Sequence, residues 1–309
     1  MKIIRAEVLG FCEGVRRAVE TARQASSGNA SASAAGPVYT LGPLIHNSRV
    51  LDSLAERGVI CLESEDSAGG IPAPENSTIV IRAHGVSPAV ERELARRGMA
   101  IVDATCPHVK VSQRKAGDYA AKGYRVFLAG EKNHAEIKAI LGYVQDHAPR
   151  GGLVVSNPAE AEAAAAELYR RERGSETAPK TALIGQTTIR AEEYRAIGEK
   201  IRRFFPSLEI VDSICGATAE RQRALRDLCG EVDALVIVGS RESSNTRRLL
   251  ALALERGKPA WLVETAAGLP AEIGAYKTVG LSAGASTPDS LIDEVEEALR
   301  AQVGIGSRE

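Results

Sequence analysis

In LARRGMAIVDATCPH, residues 94–108, a helical tail ends in a basic residue and Gly98, an apolar run from Met99 to Val102 follows, and the turn Asp103 to His108 presents the thiol of Cys106. Glycine suits the left-handed conformation that ends a helix, and the arginine before it faces the helix's negative end. The same unit recurs as LAERGVICL (54–62), AAKGYRVFLAG (120–130) and ALERGKPAWLV (253–263), with Gly58, Gly123 and Gly257 in the glycine position. Helix then strand, repeated, predicts an α/β fold. The apolar runs Ile79 to Ile81, Arg125 to Leu128 after its first residue, Leu183 to Ile184 and Ala234 to Val238 are short and continuous. They predict parallel strands buried on both faces, in several small sheets.

Two more thiols sit in the setting of Cys106. Cys12 follows the run Ile3 to Gly10 in LGFCEG, and Cys215 follows Leu208 to Val211 in DSICGAT. The three are spaced by roughly a hundred residues, within the usual domain length of ~50–200. One thiol per domain, meeting centrally, is the expectation. Cys61, inside VICL, and Cys229, on one helix face with Leu225, are expected to be small core hydrophobes. Cys12, Cys106 and Cys215 lie in polar or Gly/Pro-bounded turns, which points to a metal. Structural zinc favours closely paired ligands, and no two cysteines here are near neighbours, so a larger cluster spanning domains fits better. Three thiolates also leave a fourth position open.

The chain has 309 residues, 44% hydrophobic and 26% charged, with a formal net charge of -1. That balance offers no basic face for nucleic acid or an anionic membrane, and no run nears the ~18 apolar residues of a membrane span. MKIIRAEVLGFC carries Arg5 and Glu7 and is expected to be a first strand and not a signal peptide. Five cysteines, odd in number and widely spaced, do not resemble a disulfide framework; a reducing cytoplasm is the expected compartment. Neither G-x-G-x-x-G after a strand nor G-x-x-x-x-G-K-[ST] occurs, so bound nicotinamide, flavin or ATP has no motif support. With no second run of cysteines, a redox cluster would take electrons from a separate protein. Residues 26–36 and 69–77 are expected to be loops, 159–173 a helix broken by 174–179, 288–299 a closing helix, and 304–309 a frayed end.

Ligands of open parallel sheets gather at strand C-terminal ends. Loops there hold His84 in RAHGVSP, His134 and Glu136 in GEKNHAE, Thr187 in GQTT, Ser243, Ser244 and Asn245 in VGSRESSNT, and Ser286 in SAGASTP. His46, in LGPLIHNS, is in a turn with no clear strand before it. Taken singly, these histidines are as readily hydrogen-bonded turn residues. The Ser-Ser-Asn triplet is placed to cap a helix starting near Thr246. Three such side chains exceed one cap's need, and the surplus donors suit phosphate oxygens. Ser286 and Thr287 are placed to cap a helix with Pro288 at its first position. On residues alone, a non-catalytic module holding zinc and phosphate competes with an enzyme.

Together GFCEGVRRA, the HN of LIHNS, HGVS, DATCP, the H-x-E of NHAE, QTT, DSICGAT with RQ after it, SSN and SAGAS run nearly end to end in this order. The chain thereby resembles the 4-hydroxy-3-methylbut-2-enyl diphosphate reductase family of the non-mevalonate isoprenoid pathway. Departures are small: Ala135 stands where that family often has proline, and Ala83 where serine is common. The resemblance implies three α/β domains in pseudo-threefold arrangement, residues 14–105, 106–211 and 212–303 with 1–13, followed by a flexible tail, 304–309. It implies a central [4Fe-4S] cluster on Cys12, Cys106 and Cys215, whose fourth iron binds the substrate's allylic oxygen. It implies that His46, His84, Ser243, Ser244, Asn245 and Ser286 hold the diphosphate, with His134 and Thr187 nearer the hydroxyl and Glu136 the proton source. An external one-electron donor of the ferredoxin or flavodoxin type is the implied partner, and isopentenyl and dimethylallyl diphosphate the implied products. An aconitase-type hydro-lyase is the enzymatic alternative, and it needs no reductant.

Overall fold

The computed structural model describes residues 1–28, 36–62, 73–148, 151–172 and 179–305. In chain order the elements are β1 (Lys2–Arg5), α1 (Glu13–Ser26), β2 (Val38–Leu41), α2 (Ser48–Ala55), β3 (Val59–Leu62), β4 (Thr78–Ile81), α3 (Pro88–Arg96) and β5 (Ala100–Asp103). There follow α4 (Pro107–Ala121), β6 (Arg125–Ala129), α5 (Ala135–His147), β7 (Gly152–Val155), α6 (Pro158–Glu172), β8 (Thr181–Gly185), α7 (Ala191–Arg202) and β9 (Glu209–Ile210). The last are α8 (Gly216–Cys229), β10 (Ala234–Val238), α9 (Ser244–Glu255), β11 (Ala260–Val263), β12 (Thr278–Ala283) and α10 (Asp289–Ile305).

The strands form three four-stranded sheets, ordered β3-β2-β4-β5, β7-β6-β8-β9 and β1-β12-β10-β11, and every pairing is parallel. Counted from each sheet's own first strand (β2, β6, β10), all three follow one plan, second-first-third-fourth. In the last sheet the fourth place is taken by β1, from the chain's start, beside β12 with Lys2 opposite Thr278. The residues group into two compact units. One comprises Met1–Arg16, Ile45–Asp52 and Gly216–Glu309 and contains the β1-β12-β10-β11 sheet; the other comprises Arg17–Leu44 and Ser53–Cys215 and contains the other two.

Alternation along the strands serves both faces of each sheet, because successive side chains of a strand point to opposite sides. Val126, Leu128 and Ile184 pack with Ile137, Ile140 and Val144 of α5, whereas Phe127, Ala129 and Leu183 pack with Ala161, Ala165, Ile197 and Ile201 of α6 and α7. Likewise Leu235 and Ile237 meet Leu225, Leu228 and Leu249, while Val236 and Val238 meet Leu291, Val295 and Leu299 of α10. Burial of side chains of this size contributes about 1.5–3 kcal/mol each. Continuous apolar runs in the sequence thus do mark strands covered on both sides. Gly58, Gly98, Gly123 and Gly257 take φ of +83°, +67°, +79° and +73°, as the helix-ending glycines require.

Several expectations need correction. Cys61 is exposed, not core, because β3 is an edge strand whose Ile60 and Cys61 are uncovered while Val59 and Leu62 are buried. The run from Ile3 is a strand only to Arg5, so Ala6 to Phe11 form a connection before Cys12. A strand does precede His46: Val38–Leu41 pairs with both β3 and β4 although its sequence, VYTL, alternates too weakly to announce it. The helix expected near Thr246 begins at Ser244, and only Ser243 caps it, accepting the Thr246 N–H at 3.4 Å. The Thr287 hydroxyl donates to the Val238 carbonyl at 3.0 Å, and Pro288 precedes the helix that starts at Asp289. That helix continues to Ile305, past the expected start of the tail at 304, and residues 306–309 lie outside the described residues. Parts of both expected loops, 29–35 and 69–72, and most of the expected break, 174–178, also lie outside them.

Candidate active site

In the unit that spans Arg17–Leu44 and Ser53–Cys215, six of the expected site residues form one connected run. Cys106 stands at the N-cap of α4, its N–H donating to the Ala83 carbonyl at 2.9 Å, which ties its turn to the turn of His84. The rings of His84 and His134 meet edge to face, centroids 5.0 Å apart. His134 caps α5: its Nδ1 accepts the Glu136 N–H at 3.2 Å. An imidazole that accepts at Nδ1 carries its proton at Nε2, which leaves a donor on the far side of the ring. Glu136 is only 2% exposed, and its carboxylate accepts from the Thr187 N–H at 2.6 Å and the Thr187 hydroxyl at 2.9 Å. The Thr187 carbonyl in turn accepts the Cys215 N–H at 3.0 Å. A buried carboxyl is thus fastened between the loops of two thiols.

Charge is arranged around the Cys106 turn as well. The Asp103 carboxylate accepts the Thr105 N–H at 2.9 Å and pairs with Lys110 in the first turns of α4. Burial opposes ionisation of Asp103, but Lys110 and the hydrogen bonds from Thr105 outweigh it and hold the carboxyl below the ordinary aspartate range. Nearby Glu91 goes the other way: burial, and then the charge of Asp103, push its carboxyl up. Its neighbour Tyr143, half-buried and facing Glu91 and then Asp103, is pushed up to about 12.

In the other unit, the Cys12 N–H donates to the Ala285 carbonyl at 3.1 Å, and the Cys12 sulfur accepts the Val15 N–H at 3.4 Å. The next residue, Ser286, donates its hydroxyl to the His46 carbonyl at 3.2 Å. Ser243, Ser244 and Asn245 open α9, all buried. Both amide atoms of Asn245 are buried without a hydrogen-bond partner among the described residues. A buried amide left so costs free energy, on the order of 1–3 kcal/mol, which a ligand's oxygens or a water relieve. The Ser244 hydroxyl accepts from Arg247 Nη2 at 3.3 Å, so a cation stands beside the triplet that its neutral side chains alone did not suggest.

The common sheet plan gives these positions a shared logic. First-strand loops, with the first turns of the helices they enter, supply His46, then His134 and Glu136, then Ser243 to Asn245; third-strand loops supply His84, Thr187 and Ser286. In the order second-first-third-fourth, first and third strands adjoin where the connections change direction, the crevice in which open parallel sheets bind ligands. Fourth strands β1, β5 and β9 precede Cys12, Cys106 and Cys215, and each cysteine is the residue before a helix, α1, α4 or α8. None of the five cysteines is in a disulfide.

One residue of the constellation was missed. Gln186, fully buried, accepts the Glu131 N–H at 3.1 Å and donates to the Thr188 hydroxyl at 3.1 Å, tying the His134 loop to the Thr187 loop. A glutamine directly after the short apolar run Ala182 to Ile184 and Gly185 was the available signal.

An α/β protein of three equivalent parallel sheets, each delivering one cysteine to a helix start and polar groups to its switch point, is the class that fold and site define. The chain belongs to the LytB protein family, whose model matches residues 3–300. It is 42% identical over 299 residues to the 4-hydroxy-3-methylbut-2-enyl diphosphate reductase of Treponema denticola, covering 97% of this chain and 99% of that one. The reductase of the same name from Aquifex aeolicus is 36% identical over 300 residues, 96% of each chain. Among solved structures, the E-1-hydroxy-2-methyl-but-2-enyl-4-diphosphate reductase of Plasmodium falciparum superposes with a TM-score of 0.83 at 27% identity, over 96% of this chain and 87% of that chain. A second, described as (E)-4-hydroxy-3-methyl-but-2-enyl diphosphate reductase, the terminal enzyme of the non-mevalonate pathway, gives 0.66 at 34% identity over 97% and 99%. Among the described residues no helix is long and apolar enough to cross a membrane.

Proposed function

We propose that this chain is a 4-hydroxy-3-methylbut-2-enyl diphosphate reductase: it breaks the allylic carbon–oxygen bond of (E)-4-hydroxy-3-methylbut-2-enyl diphosphate, consuming two electrons and two protons and releasing water with isopentenyl or dimethylallyl diphosphate. Each sheet with its helices, 14–105, 106–211 and 212–303 with 1–13, is one domain in this reading. Cys12, Cys106 and Cys215 are its metal ligands. They fit a cluster: three thiols outside any disulfide, each at the start of a helix, where unpaired backbone N–H groups favour negative charge. A [4Fe-4S] cluster held there supplies electrons, received singly from an external carrier protein, and a Lewis acid for the hydroxyl.

The chain's own residues handle the anion and the protons. The amide of Asn245, with Ser243 and Ser244 at the N-terminal end of α9, meets phosphate oxygens; Ser286, His46 and His84 add donors. His134 offers Nε2–H to the hydroxyl, and the Thr187 hydroxyl links it to Glu136. Protonated Glu136 passes its proton through Thr187 Oγ1 to the leaving oxygen, and the bond to carbon breaks as water forms. The observation that carries this reading is the Glu136 carboxylate, buried and bound to both the N–H and the hydroxyl of Thr187.

Anaerobically prepared protein should contain iron and inorganic sulfide and should form both isoprenoid diphosphates from the substrate only when a one-electron reductant is added. Zinc without sulfide, or addition or loss of water without a reductant, would refute the reading in favour of a binding module or a hydro-lyase respectively.

A further inference from the structure

The Arg-Gln pair after DSICGAT has no part in the scheme above, yet Arg221 is only 3% exposed. Its guanidinium spans two carbonyls: Nη1 donates to Ala217 O at 2.8 Å, one turn back in α8, and Nη2 donates to Gly10 O at 2.6 Å. Gly10 lies two residues before Cys12 at φ +74°, and a Cβ there would fall 2.9 Å from Ile292 Cδ1 and 3.1 Å from Asp289 Oδ1. The backbone leading to Cys12 is therefore held in a conformation that side-chain-bearing residues rarely adopt. Arg221 holds it on one side, the Ala285 carbonyl on the Cys12 N–H on the other. The other unit has a simpler counterpart, with one bond from the exposed Arg17. Arg17 Nη1 donates to Thr105 O at 3.0 Å, the carbonyl just before Cys106.

We propose that Arg221 and Arg17 are positioning residues for metal binding, each fixing the backbone carbonyl that aims a thiol, Cys12 and Cys106 respectively. The inference rests on the reading of those thiols as cluster ligands. At position 221 arginine suits the task because its planar fork grips two acceptors at a fixed separation, whereas a lysine ammonium on a flexible stem has no such preset geometry. Groups that orient metal ligands commonly carry 10–100-fold in metal affinity.

The test compares the parent with Arg221→Met, Arg221→Lys and, as a control on the exposed side of the same helix, Arg223→Met. The first readout needs no metal: alkylation rates of Cys12 and of Cys229 in the metal-free chain, resolved by peptide mass spectrometry. Cys229, buried on α8, reports general opening. Arg221→Met should alkylate faster at Cys12, by about tenfold or more for a lost charged hydrogen bond, with Cys229 unchanged; Arg221→Lys should fall between, and Arg223→Met should match the parent. The second readout is iron retention against a chelator, with the electron paramagnetic resonance spectrum of the reduced protein. Arg221→Met should lose iron about 10–100-fold more readily and alter the spectrum. Parent-like values in both readouts overturn the proposal, and so does a parallel rise at Cys12 and Cys229, which would make Arg221 a fold-stabilising residue only. If Arg221→Met does not fold, parent-like values for Arg221→Lys overturn it. Arg17→Met is read identically at Cys106. A parent that takes up no iron and sulfide removes the cofactor reading, while the alkylation rates still decide whether Arg221 aims the thiol.

Discussion

Glu136→Gln separates proton delivery from binding. The carboxylate accepts two hydrogen bonds, from the Thr187 N–H and from the Thr187 hydroxyl. A glutamine in the same rotamer keeps one oxygen for the N–H and turns an NH2 toward Oγ1, so the threonine hydroxyl must reverse from donor to acceptor. Two charge-assisted bonds become neutral ones, a loss of about 1 kcal/mol each between the ~1.5–3 kcal/mol of bonds to charged groups and the ~0.5–1.5 kcal/mol of neutral ones. Part of that loss is returned, because a buried carboxylate no longer has to be ionised in a nearly dry site. The fold should thus lose only about 1–2 kcal/mol. Turnover should fall much further, by ~10²–10⁴ for removal of a general acid, because an amide cannot pass an acidic proton through Thr187. The assay is product formation at saturating substrate and reductant, beside a chemical melt and the binding of substrate. A variant that turns over at the parent rate would place the proton source elsewhere, and one whose activity loss tracked its unfolded fraction would make Glu136 structural.

Other outcomes follow from neighbouring residues. Cys12→Ser, Cys106→Ser and Cys215→Ser should each abolish the visible absorption of the cluster, whereas Cys61→Ser should keep both absorption and stability and Cys229→Ser, at a buried site, should keep absorption but melt earlier; equal loss in all five would show only a sorting by stability. Asn245→Ala deletes an amide whose atoms are buried without a partner, so the ligand-free protein should lose little stability while pyrophosphate binding, by calorimetry, weakens about 10–100-fold, as one charged hydrogen bond of ~1.5–3 kcal/mol requires; unchanged affinity in both this variant and His84→Ala would remove the pocket. Asp103→Asn keeps an acceptor for Thr105 but loses Lys110. Because the folded-state carboxyl of Asp103 is held below its ordinary value of 3.8, its contribution is fully present above that value and is lost as pH falls through the lowered one. The parent should therefore melt higher than Asp103→Asn at pH 7 and converge with it as pH falls below the lowered value; a gap independent of pH would refute the ion pair's role.

How far the sequence carried depends on whether a feature is written locally. The helix-ending glycines and the strands β4, β6, β8 and β10 were legible because backbone conformation at Gly98 and burial of Phe127 on one face and Leu128 on the other are set by nearest neighbours and by period-two packing. β2 was not, since Tyr39 and Thr40 in VYTL give no clean period and the strand exists by virtue of β3 and β4 on either side. Cys61 was misjudged for the converse reason. VICL is as apolar as any core strand, and its place at a sheet edge leaves its two middle residues, Ile60 and Cys61, uncovered. Gln186 and Arg221 were invisible as linkers because their partners, Glu131 and Gly10, are 55 and 211 residues away.

The placing of β1 shows why the site reads as scattered motifs in the chain but as one scheme in the fold. Had the last sheet been built only from the chain's end, its fourth position would be empty and Cys12 would have no counterpart relation to Cys106 and Cys215. With Lys2–Arg5 added beside β12 in parallel register, the chain's first cysteine follows a fourth strand, as the other two do. Each sheet then delivers the same three kinds of loop, and the chemistry differs only in what fills them: imidazole in the first-strand loop of one, imidazole with a carboxyl in another, hydroxyls and an amide in the third. On a repeated plan with different side chains, the anion-binding donors and the proton source we propose fall in different sheets. The thiol, the one group common to all three, recurs where a single cofactor would need a ligand from each.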